Sequence, residues 1–285
     1  YAILTALCWS FGVICFDISG RVLNSLQISF LKNIVGVLGF IIFLFIQSDS
    51  FPLFSHHEYF ILVVSGVIGV AIGDLLFLAS LRRIGSGLSA IISTSYSVSI
   101  FFLAYIMYQE IISIFAYLGG FLVIFGVFIG TMEKPENKTP QNIYIGVLFG
   151  VLAHLSTAYS ILLLRPIMEI YPVVPIALVR FSTGIIFSAI GIIYLQGIKN
   201  ISETVTKGFA NRYLIIGSFF GTFLSVIFWL AGYKYTLAGR AAIYNQLSTI
   251  FIIILASIFL KEIMTKKKWL AVTLALIGAL IVSVF

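Results

Sequence analysis

Four ionisable residues interrupt long apolar stretches of this sequence, and their types suggest a binding site for a charged small molecule. They are Lys32, Asp74, His154 and Arg180. A charged side chain at the centre of a bilayer costs roughly 2.5–3.5 kcal/mol on insertion scales, so each one needs a partner or a function. Arg180 or Lys32 can hold a carboxylate, which a guanidinium binds through two parallel hydrogen bonds. Because Asp74 can hold an ammonium group, the set predicts a site for a zwitterion such as an amino acid.

Aromatic and uncharged polar side chains in the same stretches can complete this site. The candidates are Trp9, Ser93, Tyr96, Tyr159, Trp229, Tyr244, Asn245 and Gln246. The rings can stack on a substrate or attract its cationic group. The polar residues belong to two runs, 93–96 and 245–248, which we expect to face each other across a cavity. The predicted site contains no catalytic residue and no metal ligand.

Each ionisable residue also has a purely structural interpretation, which the sequence leaves open. Asp74 could pair with Lys32 or Arg180 and simply join helices. Lys32 could extend its ammonium group to the membrane surface, and this interpretation is favoured over substrate binding. His154 is a candidate proton relay because imidazole titrates near neutral pH, although a packed histidine is the commoner case.

The composition indicates the environment of these residues. Of the 285 residues, 61% are hydrophobic and 9% are charged, whereas an average soluble domain is about 45–50% apolar and about 25% charged. This excludes an ordinary soluble enzyme and predicts an integral, multi-pass protein of the cell (inner) membrane. The net charge is +7, but the basic residues lie in short connectors, where they meet lipid headgroups and set topology. The bilayer is therefore an expected partner, and nucleic acid is not.

Ten apolar runs approach the length of about 20 residues that a membrane-spanning helix needs. The predicted spans are residues 1–18, 28–46, 58–81, 88–107, 112–131, 143–163, 173–195, 213–235, 240–260 and 268–285. Barrel strands are about ten residues long and alternate in polarity, so the runs predict an all-α fold. The short connectors at 108–111 and 261–267 require antiparallel helix pairs.

The second half of the chain repeats the first. The aligned pairs include Glu110 with Glu262 and Gly126 with Gly278 at an offset of 152 and, earlier in each half, Lys32 with Arg180 at an offset of 148. We infer two five-helix units, residues 1–131 and 143–285, joined by a linker at 132–142. Because five is odd, the second unit enters the membrane from the opposite side. Such inverted repeats are typical of secondary transporters, which bind substrate near the midplane between the halves, although duplication for packing alone is an alternative.

Two signatures at matching positions carry a resemblance to a known family. The fourth and ninth predicted spans end in YQEI and LKEI, with Glu110 and Glu262, and a glycine-bearing helix follows each. The segments GDLLFLASLRRIGSG and PIALVRF are also similar to that family's third-to-fourth and seventh helices. Over essentially its whole length, the chain resembles the ten-helix EamA-type branch of the drug/metabolite transporter superfamily. We expect both glutamates to cap turns rather than to bind substrate.

The resemblance implies that four helices of each half surround a central cavity while the fifth and tenth lie outside it. It is specific for transport but weak for substrate. Together with the ionisable residues, it predicts a secondary active transporter, not an enzyme, that moves a small polar metabolite by alternating access, with an amino acid or related zwitterion favoured. The sequence holds no Walker or dinucleotide-binding loop, so no cofactor is expected.

Other functions compete with this one. An organic-cation exporter or a nucleotide-sugar exchanger would use the same fold, and a lipid-handling protein or scaffold would need no stoichiometric transport. An intramembrane aspartyl protease would pair Asp17 with Asp74, but the sequence AIGD only approximates the motif GxGD. We expect a monomer or homodimer. The orientation stays open, because the basic connectors place both termini outside by the positive-inside rule, whereas relatives usually keep them inside.

Overall fold

The computed structural model describes residues 1–47, 51–109, 113–132, 139–235 and 245–284, and these residues contain helices and no strand. The helices are α1 (Ala2–Ser19), α2 (Ser25–Gln47), α3 (His56–Ser65), α4 (Asp74–Ser93), α5 (Ser95–Tyr108), α6 (Ile114–Thr131), α7 (Pro140–Leu163), α8 (Arg165–Ile170), α9 (Val173–Gln196), α10 (Lys199–Phe209), α11 (Arg212–Ser218), α12 (Ser225–Tyr235), α13 (Leu247–Leu255) and α14 (Lys266–Val284). Three π-helical segments, Gly66–Gly73, Phe219–Leu224 and Ala256–Leu260, continue α3, α11 and α13.

These helices account for the predicted spans in their predicted order. The third crossing consists of α3, its π-helical continuation and the first part of α4, and the fourth consists of the remainder of α4 and α5. The eighth crossing joins α11 to α12, the ninth is α13 with its continuation, and α8 and α10 are short connecting helices. Helices such as Ser25–Gln47 and Val173–Gln196 are long and apolar enough to cross a membrane. The predicted all-α membrane fold is confirmed.

A glycine inside α4 separates the third crossing from the fourth. Gly85 has φ 76° and ψ 173°, a backbone conformation that is essentially restricted to glycine. The helix that starts again after this break has free backbone N–H groups at its first turn. The carboxylate of Glu262 accepts two of them, from Ser86 and Gly87, each at 3.0 Å. The prediction that Glu262 caps a turn is confirmed, whereas its counterpart Glu110 lies outside the described residues.

We predict that Glu262→Ala lowers the free energy of unfolding by about 1.5–3 kcal/mol, the range for hydrogen bonds to a charged group. Its two amide partners at Ser86 and Gly87 would lose their acceptor. Thermal unfolding of the purified protein in detergent measures this change. Glu203→Ala is the control, because it removes only an exposed carboxylate paired with Lys207, which is worth at most about 1 kcal/mol. Equal unfolding temperatures for the two variants would contradict the capping role.

The last helices of the two halves, α6 and α14, pack against each other through equivalent glycines. A Cβ at Gly126 would lie 2.9 Å from the amide nitrogen of Ala275, and a Cβ at Gly278 would lie 2.8 Å from the amide nitrogen of Val123. The two contacts are equivalent under the repeat, because the offset of 152 carries Gly126 onto Gly278 and Val123 onto Ala275. In one contact the glycine belongs to α6, and in the other it belongs to α14. Small residues of this kind let helix backbones approach closely, and the reciprocal arrangement is what a two-fold axis between inverted repeats produces.

We predict that Gly126→Ala destabilises the protein by about 1–3 kcal/mol, the usual cost of overpacking. The new methyl group would meet the backbone of α14, which has no flexible end to move aside. Gly120→Ala on the same helix is the matched control, since its Cβ would meet only Val98 Cγ1 at 3.8 Å. Thermal unfolding in detergent distinguishes them, and an equal loss in both variants would show that helix composition rather than close packing is responsible.

The crossings that surround the centre of the protein also form pairs of equivalent close contacts between the two halves. A Cβ at Gly221 would lie 2.8 Å from the Cα of Gly12, and a Cβ at Gly69 would lie 2.7 Å from the Cβ of Ser160. The offset of 152 carries Gly69 onto Gly221, and the offset of 148 carries Gly12 onto Ser160. Thus α1 packs on the eighth crossing as α7 packs on the third. The two halves interlock symmetrically about the middle of these helices.

Buried apolar side chains form two clusters, and α2 contributes to both, with Leu31 in the first and Phe40 in the second. Leu81 and Ile84 belong to the first cluster, and Phe40 and Leu62 belong to the second. The buried cation Lys32 lies between Leu31 and Phe40 on α2.

Candidate functional site

A cavity of about 160 Å³ lies between the two halves, and both halves contribute to its wall. A water molecule needs at least about 10–15 Å³ on this measure, so the space holds on the order of ten waters. Its wall comes from α1, α2, α4, α5, α7, α9, α12 and the start of the ninth crossing. This size and position suit a small metabolite.

Most of the residues predicted from the sequence lie in the cavity wall. They are Trp9, Lys32, Asp74, Ser93, Tyr96, His154, Arg180, Trp229, Asn245 and Gln246. Tyr244 lies outside the described residues. The prediction for Tyr159 requires correction, because this side chain is 36% exposed and does not line the cavity. At 3.6 residues per turn, the face of α7 that presents Ala153 and Thr157 to the cavity turns Tyr159 away.

Sequence reasoning missed several small polar residues of the wall. Thr5, Thr157 and Ser225 line the cavity. Their signal was helical spacing, since Thr157 follows His154 by three residues and Ser225 precedes Trp229 by four. Tyr233 was also missed, although its hydroxyl lies 3.0 Å from the hydroxyl of the wall residue Tyr96.

An ion pair between α2 and the start of α4 forms one side of the cavity. Lys32 Nζ lies 2.5 Å from Asp74 Oδ2, and it also donates to Asn33 Oδ1 at 3.0 Å. The Lys32 residue is 3% exposed, so the interpretation that its ammonium group extends to the membrane surface is wrong. Pairing with Asp74 is the interpretation that the structure supports. The carboxylate side chain is 20% exposed and borders the cavity.

Arg180 presents an incompletely paired guanidinium in the same cavity. The residue is 2% exposed, and its Nη2 donates to Ser160 Oγ at 3.0 Å. Its Nε and Nη1 have no hydrogen-bond partner within the described residues. The missing side chain of Gly69 makes room for the group, because a Cβ there would lie 3.0 Å from Nη2. Buried donors without partners are costly, so this guanidinium is suited to receiving an acceptor from a ligand.

Aromatic rings form the apolar part of the wall. Trp9 and Phe77 have ring centroids 5.3 Å apart. The imidazole of His154 lies 6.1 Å from Phe77 and 6.3 Å from Tyr96, and its Nε2 has no hydrogen-bond partner in the described part of the chain. This packing between rings agrees with the interpretation of a packed histidine. Trp229 continues the aromatic wall from α12.

Hydrogen bonds join the fourth and ninth crossings, as the matching polar runs predicted. Gln246 Nε2 donates to Ser97 Oγ at 2.5 Å. Thr249 Oγ1 donates to the carbonyl oxygen of Ala90 at 3.3 Å. Because the crossings belong to different halves, these bonds connect the two halves directly beside the cavity.

Polar contacts also lie towards the two ends of the crossings, some within one half and some between the halves. At one face, Ser86 Oγ donates to Asp17 Oδ2 at 2.7 Å, close to the Glu262 cap. At the other face, the Tyr171 hydroxyl donates to Glu58 Oε2 at 3.0 Å, and this bond raises the pKa of Tyr171. Lys234 Nζ donates to the backbone oxygen of Tyr171 at 2.7 Å. The bond of Tyr171 with Glu58 joins the two halves, as the Glu262 cap on Ser86 does.

The carboxylates Asp17 and Asp74 do not form a pair of the kind that an aspartyl protease needs. Asp74 borders the cavity opposite Trp9 and is bonded to Lys32. Asp17 is eight residues beyond Trp9 on α1, which is about 12 Å along a helix, and it is bonded to Ser86. Within the described residues, Asp17 and Asp74 therefore do not form the pair that the protease alternative requires.

Comparison with known proteins assigns this architecture. The model of the EamA-like transporter family matches residues 1–132 and 144–284. The chain belongs to this family. It is therefore an integral, multi-pass membrane protein of a transporter family, as its apolar helices also indicate.

Two individual comparisons add a relative in sequence and a likeness in fold. A protein of Archaeoglobus fulgidus (strain ATCC 49558 / DSM 4304 / JCM 9628 / NBRC 100126 / VC-16), which bears the name "Uncharacterized transporter", is 24% identical over 265 residues, covering 92% of this chain and 88% of that protein. A chain of known crystal structure superimposes with a TM-score of 0.69 over 98% of this chain and 94% of its own length. Its sequence identity is 10%, so this likeness concerns the fold alone.

Proposed function

We propose that this EamA-like protein is a secondary active transporter that moves a small polar metabolite with a carboxylate group across the membrane by alternating access. An amino acid or a related zwitterion is the substrate class that the sequence favours. The observation that carries the proposal is the buried guanidinium of Arg180, whose Nε and Nη1 face no acceptor within the described residues. It lies in a cavity where the two halves meet. We expect the protein to work in the cell (inner) membrane as a monomer or homodimer.

The chemistry of the cavity supports binding of a carboxylate. A guanidinium presents its N–H groups as a planar fork that matches the two oxygens of a carboxylate. The ammonium group of a zwitterion would then approach Asp74, whose side chain is 20% exposed. The faces of Trp9 and Trp229 would cover the apolar part of the substrate, as cavity walls of small-molecule sites commonly do.

The symmetry of the two halves supports alternating access. Inverted repeats allow one arrangement of the halves to be exchanged for its two-fold-related counterpart around a fixed central site. The contacts of Gly69 with Ser160 and of Gly221 with Gly12 are equivalent under the repeat, so both arrangements can use the same kind of close packing. The hydrogen-bonded segments at the two faces would separate in turn.

A second substrate class is an organic anion without an ammonium group. The observation that favours it is the 2.5 Å contact between Lys32 and Asp74, because a carboxylate already paired with a lysine is less able to attract a cationic substrate. The same contact argues against an organic-cation exporter. A lipid-handling or scaffold function would leave the orientation of Arg180 into the cavity without a purpose.

Counterflow into liposomes tests the proposed transport. Purified protein is reconstituted into liposomes loaded with an unlabelled mixture of small metabolites, an isotope-labelled mixture is added outside, and mass spectrometry identifies what accumulates. We expect accumulation of one chemical class that contains a carboxylate, above the level in protein-free liposomes. If folded protein accumulates no member of the mixture, transport of small metabolites is wrong and the lipid-handling alternative gains support.

A further inference from the structure

The charge of the cavity wall is unbalanced, and the repeat explains the imbalance. Within the described residues, the charged side chains of the wall are Lys32, Asp74 and Arg180. Lys32 and Arg180 occupy matching positions in the two halves, at an offset of 148. The partner of Lys32 is Asp74, whereas the residue that matches Asp74 at the offset of 152 is Val226. Val226 also lines the cavity and is 8% exposed, so the second half has the cation without its carboxylate.

The described part of the cavity wall therefore carries one net positive charge when His154 is counted as neutral. The Lys32–Asp74 pair contributes a charge of zero, and Arg180 contributes +1. A monoanion makes the occupied cavity neutral. A zwitterion leaves the charge at +1, and a cationic substrate raises it to +2.

This balance has a consequence for movement across the membrane. In alternating access the site closes before it opens to the other face, and closing removes bulk water from the charged groups. An uncompensated charge in a closed, weakly polar cavity is strongly disfavoured, whereas a hydrogen-bonded ion pair is much less so. The loaded carrier with a monoanion should thus close readily, and the unloaded carrier with a bare guanidinium should not.

We infer that the cavity selects metabolites with a single carboxylate and no ammonium group, and that the carrier changes its orientation only when loaded, so that it exchanges one such anion for another. The inference rests on the proposed function, since it concerns the same site. It decides between the two substrate classes above in favour of the anion. It also assigns the coupling to exchange with a second solute molecule.

The substrate class is tested by sorting counterflow products by charge. The labelled mixture contains matched trios with one carbon skeleton, such as lactate, alanine and alaninamide, or phenyllactate, phenylalanine and phenylalaninamide. These differ in net charge from −1 through 0 to +1 at neutral pH. We expect the accumulated compounds to be monoanions at least tenfold above their zwitterionic counterparts. Dominant zwitterions or cations would overturn the charge inference and leave the proposed transport standing, whereas no accumulation at all would overturn the proposed transport itself.

Exchange is tested with the compound that accumulates best in that experiment. Its uptake is compared in liposomes loaded with the same unlabelled compound and in liposomes that contain buffer alone, with valinomycin and potassium present to prevent a membrane potential. We expect uptake into loaded liposomes to be at least tenfold faster. Equal rates would overturn obligate exchange.

Two variants at the matching position test the origin of the selectivity. Val226→Asp supplies the second half with the carboxylate that it lacks, and Val226→Asn introduces a side chain of the same shape without charge. We expect the aspartate variant to lose monoanion uptake. Its ratio of zwitterion uptake to monoanion uptake should be at least ten times the ratio of the asparagine variant. Identical selectivity in two folded variants would overturn the charge count. If neither variant folds, the matched trios on the unaltered protein still decide the charge selectivity, and the loaded and unloaded liposomes still decide the exchange.

Discussion

Arg180→Ala is expected to abolish counterflow while leaving the protein folded. The substitution removes the group that would hold a carboxylate through two charge-assisted hydrogen bonds, and each such bond is worth about 1.5–3 kcal/mol. Two bonds correspond to about 3 kcal/mol or more, so transport should fall at least about 100-fold. Arg180→Lys keeps the charge but not the planar fork, so we expect it to recover only a small part of the rate.

The stability of the same variant distinguishes a transport function from a structural one. The guanidinium is buried with two of its nitrogens unpartnered within the described residues. Removing such a charge relieves a desolvation cost, so the unfolding temperature of Arg180→Ala should be unchanged or higher. A large loss of stability would indicate that Arg180 joins helices instead. Arg212→Ala is the matched control, because Arg212 lies outside the cavity wall and contacts the Tyr213 ring at 5.1 Å, and its transport should be normal.

Separating Lys32 from Asp74 is expected to have the largest effect on stability. Asp74→Asn leaves the ammonium group of Lys32 without a carboxylate at a residue that is only 3% exposed. Breaking a buried pair by removing one partner costs about 3–5 kcal/mol. Lys32→Met should cost less, because the Asp74 side chain is 20% exposed and keeps some contact with solvent. Unfolding of each variant in detergent provides the comparison.

The double variant Lys32→Met with Asp74→Leu should recover most of that stability. It removes both charges together, and replacement of a buried pair by apolar residues is often neutral or better. It also preserves the net charge of the cavity, so anion exchange should survive at a measurable rate. If the double variant is as unstable as the sum of the two single variants, the residues do not act as a pair. If it is stable but inactive, one of them contacts the substrate.

The sequence was sufficient to locate most of the cavity wall, for a physical reason. A charged residue in an apolar run is costly, so Lys32, Asp74 and Arg180 were conspicuous candidates before any fold was considered. The repeat then indicated that Lys32 and Arg180 occupy equivalent places in two halves. Because the bilayer restricts the chain to helices of known length, the membrane crossings also followed from apolar run length.

Helix rotation was harder to predict than helix position. Tyr159 was chosen for its aromatic ring, but its helix turns it away from the cavity. Its rotation was hard to predict, because an apolar helix between lipid and protein has no polar face that indicates which side faces inwards. Lys32 was expected at the membrane surface because its long side chain can reach it. The buried partner that held it instead is 42 residues away in the chain, and such contacts are decided by tertiary packing.

The unpaired state of Arg180 could have been found in the sequence but was not. The repeat aligns Asp74 with Val226, so a carboxylate is missing from one of two equivalent places. Its significance became apparent only when the structure placed Lys32 against Asp74 and gave Arg180, among the described residues, a hydrogen bond to Ser160 only. A residue-by-residue comparison of the two halves would have identified this feature. It would have shown that the carboxylate of the first half has an uncharged counterpart in the second.

The most direct test of the account asks whether the transported metabolite occupies this cavity. Cys8 and Cys15 are replaced by alanine, Ser93→Cys is introduced into the wall, and its labelling by a water-soluble methanethiosulfonate reagent is followed in detergent. The account predicts that the metabolite identified by counterflow slows labelling at least fivefold, that Arg180→Ala removes this protection, and that Ser202→Cys on α10 is labelled equally with and without it. If a concentration that saturates counterflow leaves labelling at position 93 unchanged, the substrate site lies elsewhere and the account is contradicted.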